Sequence, residues 1–335
     1  MLFDYRKLHI ELSSKCTLKC PRCPRTELTH PNLNQEYTLE DFRKAFPPEV
    51  LFNVSSILFC GHIGDPIYAT DFLEICRYIK SLPLPHEVEL NIITNGSYKS
   101  AEWWKKLGNI LRRNDSVTFS VDGWSQKSNE KYRVNCNFKS ILTGMEALRK
   151  ADTCNMRWSH IVFNFNEEDE DKMKSLAENI GFDFFQTVVS SKFGEQYKVN
   201  GVDPLMPINP RNVKGEGEEY HKQVTMLRLR PNPLFSKSDT FPVSNPRLYL
   251  EFNHHKWAKC LRGEKELFID VSGLVNPCPW FNNGYQINEF IKKHKDRLNV
   301  RTRPLMLILE DQVWEEFITI LELFPYEICR MKCKK

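Results

Sequence analysis

Three cysteines fall within eight residues of this 335-residue chain, at Cys16, Cys20 and Cys23. Thiols crowded this way on one short segment suit metal ligation. A fully ligated [4Fe–4S] cluster takes four thiolates. Three local ligands would leave one iron open, and an open coordination position is what metal catalysis uses. The same thiols, completed by a distant Cys or His, would instead make a structural zinc knuckle, and the triplet alone leaves both readings standing. A second set lies near the other end, at Cys260, Cys278, Cys329 and Cys333. A hairpin between the first two would bring them near each other, and the last two, four apart, would share one face of a helical turn. Four thiolates would complete one further cluster or hold a zinc ion. Cys60, Cys76, Cys136 and Cys154 show no ligand spacing and read as small buried hydrophobes.

Composition narrows the setting. Eleven cysteines is an odd number, which suits ligation better than full pairing into disulfides. The first fourteen residues carry Asp4, Arg6, Lys7 and Glu11 and lack the apolar core of a signal peptide. No run approaches the ~18 apolar residues of a membrane span. A cytoplasmic protein with no membrane partner is expected. The net charge of +4 is too mild to mark a nucleic-acid footprint, and the cluster Lys292, Lys293, His294, Lys295 and Arg297 reads as a solvated helix face.

The elements that must position these residues alternate in type. Apolar β-rich runs predict strands over 8–12, 54–60, 87–93, 117–121, 158–163 and 184–189. Helical periodicity falls between them, over 39–46, 70–81, 100–112, 138–150 and 167–180. That alternation predicts α/β architecture with parallel strands. Six strands are too few for a closed eight-stranded barrel, so a partial (β/α)6 barrel spanning 1–190 is expected. The Cys16–Cys23 segment follows the first strand, which in such a barrel is the catalytic face. Residues 191–252 contain Pro204, Pro207, Pro210, Pro231, Pro233, Pro242 and Pro246 and read as a loop-rich connection folded over the barrel mouth. Residues 253–335 read as a small α+β cysteine-rich domain. Within it a hairpin turns at Val271-Ser272-Gly273, and a helix over 311–324 presents Trp314, Phe317, Ile318 and Leu321 to a core.

Cys-x3-Cys-x2-Cys after a first strand, with Pro24 following, resembles the radical S-adenosylmethionine (SAM) superfamily. Other segments match that family in order. Gly61-His62-Ile63-Gly64-Asp65-Pro66 resembles its Gly-Gly-Glu-Pro element, with Asp for Glu. Thr94-Asn95-Gly96 closes the third strand, Ser120-Val121-Asp122-Gly123 the fourth, and Tyr132-Arg133 follows. The resemblance covers roughly residues 8–190. It implies a [4Fe–4S] cluster on Cys16, Cys20 and Cys23, with SAM chelating the open iron. Asp65 would accept from the SAM ammonium, and Arg133 would fork onto its carboxylate. Gly64 would let backbone approach closely, while Asn95, Ser120, Asp122 and Asn164 would complete the SAM site. Thr17 stands where members often carry Asn. Arg22 stands where an aromatic residue often lies near adenine, and its guanidinium plane could stack there instead.

Cys260-x12-Gly273-x4-Cys278 resembles the start of the SPASM and twitch domains that carry auxiliary iron–sulfur clusters. With four cysteines in that region the twitch-like form, one auxiliary [4Fe–4S] cluster, is implied. The resemblance as a whole implies an oxidoreductase-like radical enzyme. It would cleave SAM reductively with an electron from a donor such as flavodoxin or ferredoxin. The resulting radical would then remove a hydrogen atom from a substrate, which is expected to be a peptide or protein. A carbohydrate or nucleotide substrate is the enzyme-class alternative, and a zinc-stabilised nucleic-acid-binding module the alternative of another class. His62, at a strand end beside Asp65, is a further candidate for the site.

Overall fold

The computed structural model describes residues 5–27, 33–190, 192–213, 224–230, 260, 265–281, 288–324, 326 and 329. Strands β1 (Tyr5–Ile10), β2 (Ser56–Phe59), β3 (Glu89–Thr94), β4 (Ser116–Ser120), β5 (Asn155–Ile161) and β6 (Phe184–Val188) stand where the apolar runs predicted them. Three more strands follow: β7 (Val224–Arg228), β8 (Lys265–Ile269) and β9 (Val275–Asn276). Parallel pairing of β1 with β2, β2 with β3, β4 with β5, and β5 with β6 places the chain in the expected α/β class.

The chain divides into two compact units. The first comprises residues 1–16, 23–94 and 253–335. Its strands run in the order β3-β2-β1-β8-β9. Leu8, Ile10, Ile57, Phe59, Leu90 and Ile92 point to one buried face. There Phe59 meets Phe42 of the helix Leu39–Ala45 and Phe72 of the helix Phe72–Ser81. Lys7, His9, Ser56, Leu58, Glu89 and Asn91 alternate onto the other face, as a strand's two-residue period requires. The first helix starts at a capping box, Thr38 and Asp41 each satisfying the other's backbone N–H.

Two features of this unit are not legible in the alternation. β8 pairs in parallel with β1, Leu8 opposite Leu267 and Ile10 opposite Ile269, so residues following 253 build onto the N-terminal strand. Tyr5 of β1 meets Trp314 of the helix Gln312–Leu323 edge to face. The expected hairpin is present. β8 and β9 pair antiparallel, and Gly273 takes φ +97° in the turn, a backbone conformation that a side chain would strain.

The second unit comprises residues 17–22 and 95–252, with strand order β4-β5-β6-β7. Its buried face joins Phe119, Trp158 and Phe185 to Trp104 of the helix Ala101–Ile110 and to Phe182. β7 pairs antiparallel with β6. It lies inside the span read as loop-rich, where five residues between proline clusters gave too short a pattern to register. Among the described residues, no helix is long and apolar enough to cross a membrane.

Candidate active site

In the first unit, β1 runs out into Glu11, Ser13 and Ser14, all buried. Glu11 Oε1 accepts from the N–H groups of His62 at 2.6 Å and Ile63 at 2.7 Å, and Oε2 accepts from the Val271 N–H at 3.4 Å. One carboxylate thus fastens the loops that follow β2 and β8 to the end of β1. Burial pushes its pKa up to about 7; the nearby Asp270 charge adds to the rise, and the three N–H donors work against it.

The loop that Glu11 holds carries Gly64 and Asp65. The Asp65 N–H donates to the Lys15 carbonyl at 3.0 Å, one residue before Cys16. A Cβ on Gly64 would lie 1.8 Å from the Ser13 carbonyl oxygen, so only glycine allows this approach. Asp65 is buried and caps the turn Pro66–Tyr68 through the Ile67 N–H, while the Thr94 hydroxyl donates to its two oxygens at 2.9 and 3.1 Å. A carboxylate has about four acceptor positions, so the turn role and an ammonium-accepting role are compatible. Burial, with the Asp65 and Glu11 charges, pushes the Cys60 thiol up to about 12. Cys16 and Cys23 are half-buried, and the Cys23 carbonyl accepts the N–H groups of Thr26 and Glu27 to open the short helix Pro24–Glu27.

In the second unit, Cys20 is buried within the segment 17–22. That segment is tied to the turn after Arg133. The Lys19 N–H donates to the Val134 carbonyl at 3.0 Å, and Asn135 Nδ2 donates to the Thr17 carbonyl at 2.7 Å. Arg133 Nε donates to Asp122 Oδ2 at 2.5 Å. Desolvation works against the Arg133 charge, but the attraction of Asp122 and then of the Cys20 sulfur outweighs it and holds the guanidinium protonated.

Asp122 was expected at the SAM site, and the geometry gives it a different immediate task. Its second oxygen, Oδ1, accepts the Ile161 N–H at 2.7 Å. Both oxygens are therefore engaged, and the carboxylate orients Arg133 against the end of β5. Asn164 is likewise engaged: its Nδ2 donates to the Pro204 carbonyl at 2.8 Å and its N–H to the Leu205 carbonyl at 3.2 Å. Asn95 is buried and accepts the Ser97 N–H at 2.9 Å. Ser120 is half-buried at the end of β4, in register with Ser159 of β5. Arg22 is 4% exposed and locked among Lys192, Phe193, Tyr197 and Asp203.

Of the C-terminal set, Cys278 is half-buried just after β9, Cys260 is half-buried, Cys329 is buried, and Cys333 lies outside the described residues. Among the described residues, no three His, Cys, Asp or Glu side chains converge closely enough to chelate one metal ion. A cube, in which each thiolate takes its own iron, does not require such convergence.

Three residues escaped the sequence reading. Glu11 follows an apolar strand directly, a signal of burial that its charge conceals. Asn166 accepts the Phe163 N–H and donates to the Asp122 and Ile161 carbonyls, binding the ends of β4 and β5. Asp203 sits in a proline-rich stretch with no periodic pattern to mark it.

Comparison with known proteins follows the same line. The model of the radical SAM superfamily matches residues 10–178. A tungsten-containing aldehyde ferredoxin oxidoreductase cofactor-modifying protein of Pyrococcus furiosus is 24% identical over 95% of this chain and 85% of its own length. A GTP 3′,8-cyclase of Lactiplantibacillus plantarum is 23% identical over 87% of this chain and 83% of its own. Among solved structures, Streptococcus suis SuiB bound to S-adenosylmethionine is similar at a TM-score of 0.60 and 14% identity, over 98% of this chain and 72% of that one. Native anSMEcpe with bound AdoMet and a Cp18Cys peptide is similar at 0.54 and 17%, over 98% and 86%. These structural likenesses bear on the fold alone.

Proposed function

The chain belongs to the radical SAM superfamily, and from that premise we propose that it cleaves S-adenosylmethionine reductively at a [4Fe–4S] cluster held by Cys16, Cys20 and Cys23, then takes a hydrogen atom from a peptide or protein substrate. The observation that carries the site assignment is the half-buried Arg133, whose Nε donates to Asp122 at 2.5 Å while the neighbouring Val134 carbonyl accepts the Lys19 N–H at 3.0 Å, one residue from Cys20. A [4Fe–4S] cluster bound there would supply the one-electron reduction by which S-adenosylmethionine is cleaved to methionine and a 5′-deoxyadenosyl group.

The chain's own residues do the holding. Arg133 would receive the SAM carboxylate in a forked geometry through its terminal nitrogens. Asp65, oriented by Thr94, accepts from the ammonium. Gly64, with no side chain, lets the loop that carries Asp65 close against the Ser13 carbonyl and so sets where Asp65 stands. Asn95 and Ser120 would complete the SAM site, Asn164 would support it from its contacts with Pro204 and Leu205, and Asp122 would act through Arg133. Cys260, Cys278, Cys329 and Cys333 would ligate one auxiliary cluster, fully coordinated and so suited to electron transfer or stabilisation. The external electron would come from a flavodoxin- or ferredoxin-type donor.

The peptide reading draws support from the fold shared with SuiB and anSMEcpe, both of which have structures with peptides bound. A nucleotide or other small-molecule substrate is the second reading, favoured by the relative named as a GTP 3′,8-cyclase. Anaerobic turnover with deuterated candidates separates them. Deuterium from a peptide pool should enter 5′-deoxyadenosine. Transfer from GTP or a sugar, with none from peptides, would overturn the peptide assignment.

A further inference from the structure

The residue before Cys23 is built into a second structure far along the chain. Arg22 Nη2 donates to Asp203 Oδ1 and Nη1 donates to the Lys192 carbonyl. In return Lys192 Nζ donates to the Arg22 carbonyl at 2.8 Å. The guanidinium lies 4.3 Å from the centre of the Tyr197 ring and 4.9 Å from that of Phe193. Both charged side chains are buried, Arg22 at 4% and Asp203 at 1% exposure. Backbone and side chain of Arg22 are thus held by residues 192–203 and not by its own loop.

That segment is in turn fixed from its other side. Asp203 accepts the Gly194 N–H at 3.1 Å and the Leu205 N–H at 3.0 Å, closing the segment on itself. Asn164 binds Pro204 and Leu205, and Glu167 accepts the N–H groups of Ile208 and Asn209 at 3.0 and 3.1 Å. Phe193 reaches Phe163, whose ring lies 4.4 Å from that of Tyr132, the neighbour of Arg133. A continuous set of contacts within one compact unit therefore runs from Arg133 through the end of β5 and the segment 192–203 to Arg22.

We propose that Arg22 and Asp203 are a positioning pair, through which the segment 192–203 sets the conformation of the cysteine loop and so the binding of SAM beside it. This rests on the reading of Cys16–Cys23 as the loop of a SAM-binding cluster. Neither residue touches the reacting atoms. A buried guanidinium that loses its carboxylate cannot stay where it is, because an unpaired charge is costly in the interior. Its escape would turn the peptide linking residues 22 and 23 and release the seat of segment 192–203.

The test uses the full, anaerobically reconstituted protein, with the Asp203→Asn and Arg22→Lys variants. Deuterium exchange should rise together in 17–22 and 192–203 of Asp203→Asn, by roughly tenfold, while the strand amides hold. The electron paramagnetic resonance signal of the reduced cluster should change shape when SAM is added in the natural protein and change less in Asp203→Asn. The KM for SAM should rise more than kcat falls. Arg22→Lys, which keeps the charge and loses the fork, should lie between. A variant exchanging faster only in 192–203, with an unaltered SAM-induced spectrum, overturns the positioning pair and leaves the cluster reading intact. A natural protein whose spectrum ignores SAM overturns the underlying reading instead.

Discussion

Asp122 and Arg133 bury opposite charges beside Cys20, and that pairing cannot be taken apart cheaply. Asp122 is fully buried and Arg133 is half-buried, at 16% exposure. Removing one partner of such a pair costs about 3–5 kcal/mol because the other charge is left without compensation. Asp122→Ala should therefore lower unfolding stability by about that much in denaturant melts; a loss below ~1 kcal/mol would mean that the pair is solvated. Glu11 makes a pH-dependent prediction. Its folded pKa is raised to about 7 from 4.5, so its neutral form is favoured in the folded protein. Its contribution to stability is complete below the unfolded value and is lost as pH rises through about 7. Glu11→Gln should flatten the fall in stability between those values; an unchanged slope would assign it to Asp270, whose pKa is also raised by burial. Residue types told much of this site and residue partners told little of it. The cysteine spacing and the close approach at Gly64 had signals in the chain, and the loops carrying Asp65 and Arg133 follow the strands from which they were expected. The engagement of Asp122 by Ile161 and of Asn164 by Pro204 could not, because those partners lie 39 and 40 residues away.

Strand ends and the loops after them carry the next level of organisation. The loop after β2 approaches the chain after β1 so closely that Gly64 admits no side chain. The opposing atom is a backbone carbonyl, which cannot swing aside. Gly64→Ala should cost about 1–3 kcal/mol of stability through overpacking and should weaken SAM binding by more than it lowers iron content. Equal SAM affinity in calorimetry would show that the loop tolerates displacement. The β elements were legible because each pairs an apolar face with a two-residue period, as Leu8 and Ile10 do against Lys7 and His9. β7 was not, since Val224–Arg228 carries one short alternation between prolines. The partner of β8 was also hidden: its hairpin turn is local, whereas its parallel pairing with β1 joins residues some 260 positions apart and leaves no local trace.

At the scale of the whole chain, that pairing changes what can stand alone. The first unit takes its strands from both ends of the sequence. A chain cut after residue 252 would lose β8 and β9 and expose the edge of β1, an open template for association. Such a chain should aggregate or melt without cooperativity in calorimetry. A soluble, cooperatively folding 1–252 fragment would show that the N-terminal strands need no C-terminal partner. For the auxiliary cluster, Cys260→Ala or Cys278→Ala should lower iron by about four per chain while the first cluster persists. Unchanged iron with two zinc ions bound would assign those thiols to zinc.

The central claim is that three sulfurs of one loop hold a cluster that acts on S-adenosylmethionine. Its most direct measurement is 5′-deoxyadenosine and methionine released by the reduced, reconstituted protein, made alongside Cys16→Ala, Cys20→Ala and Cys23→Ala. The natural protein should release the two in equal amounts, and each variant should release neither. Undiminished release from any of the three variants, or a colourless natural protein that binds zinc and no iron, would contradict it.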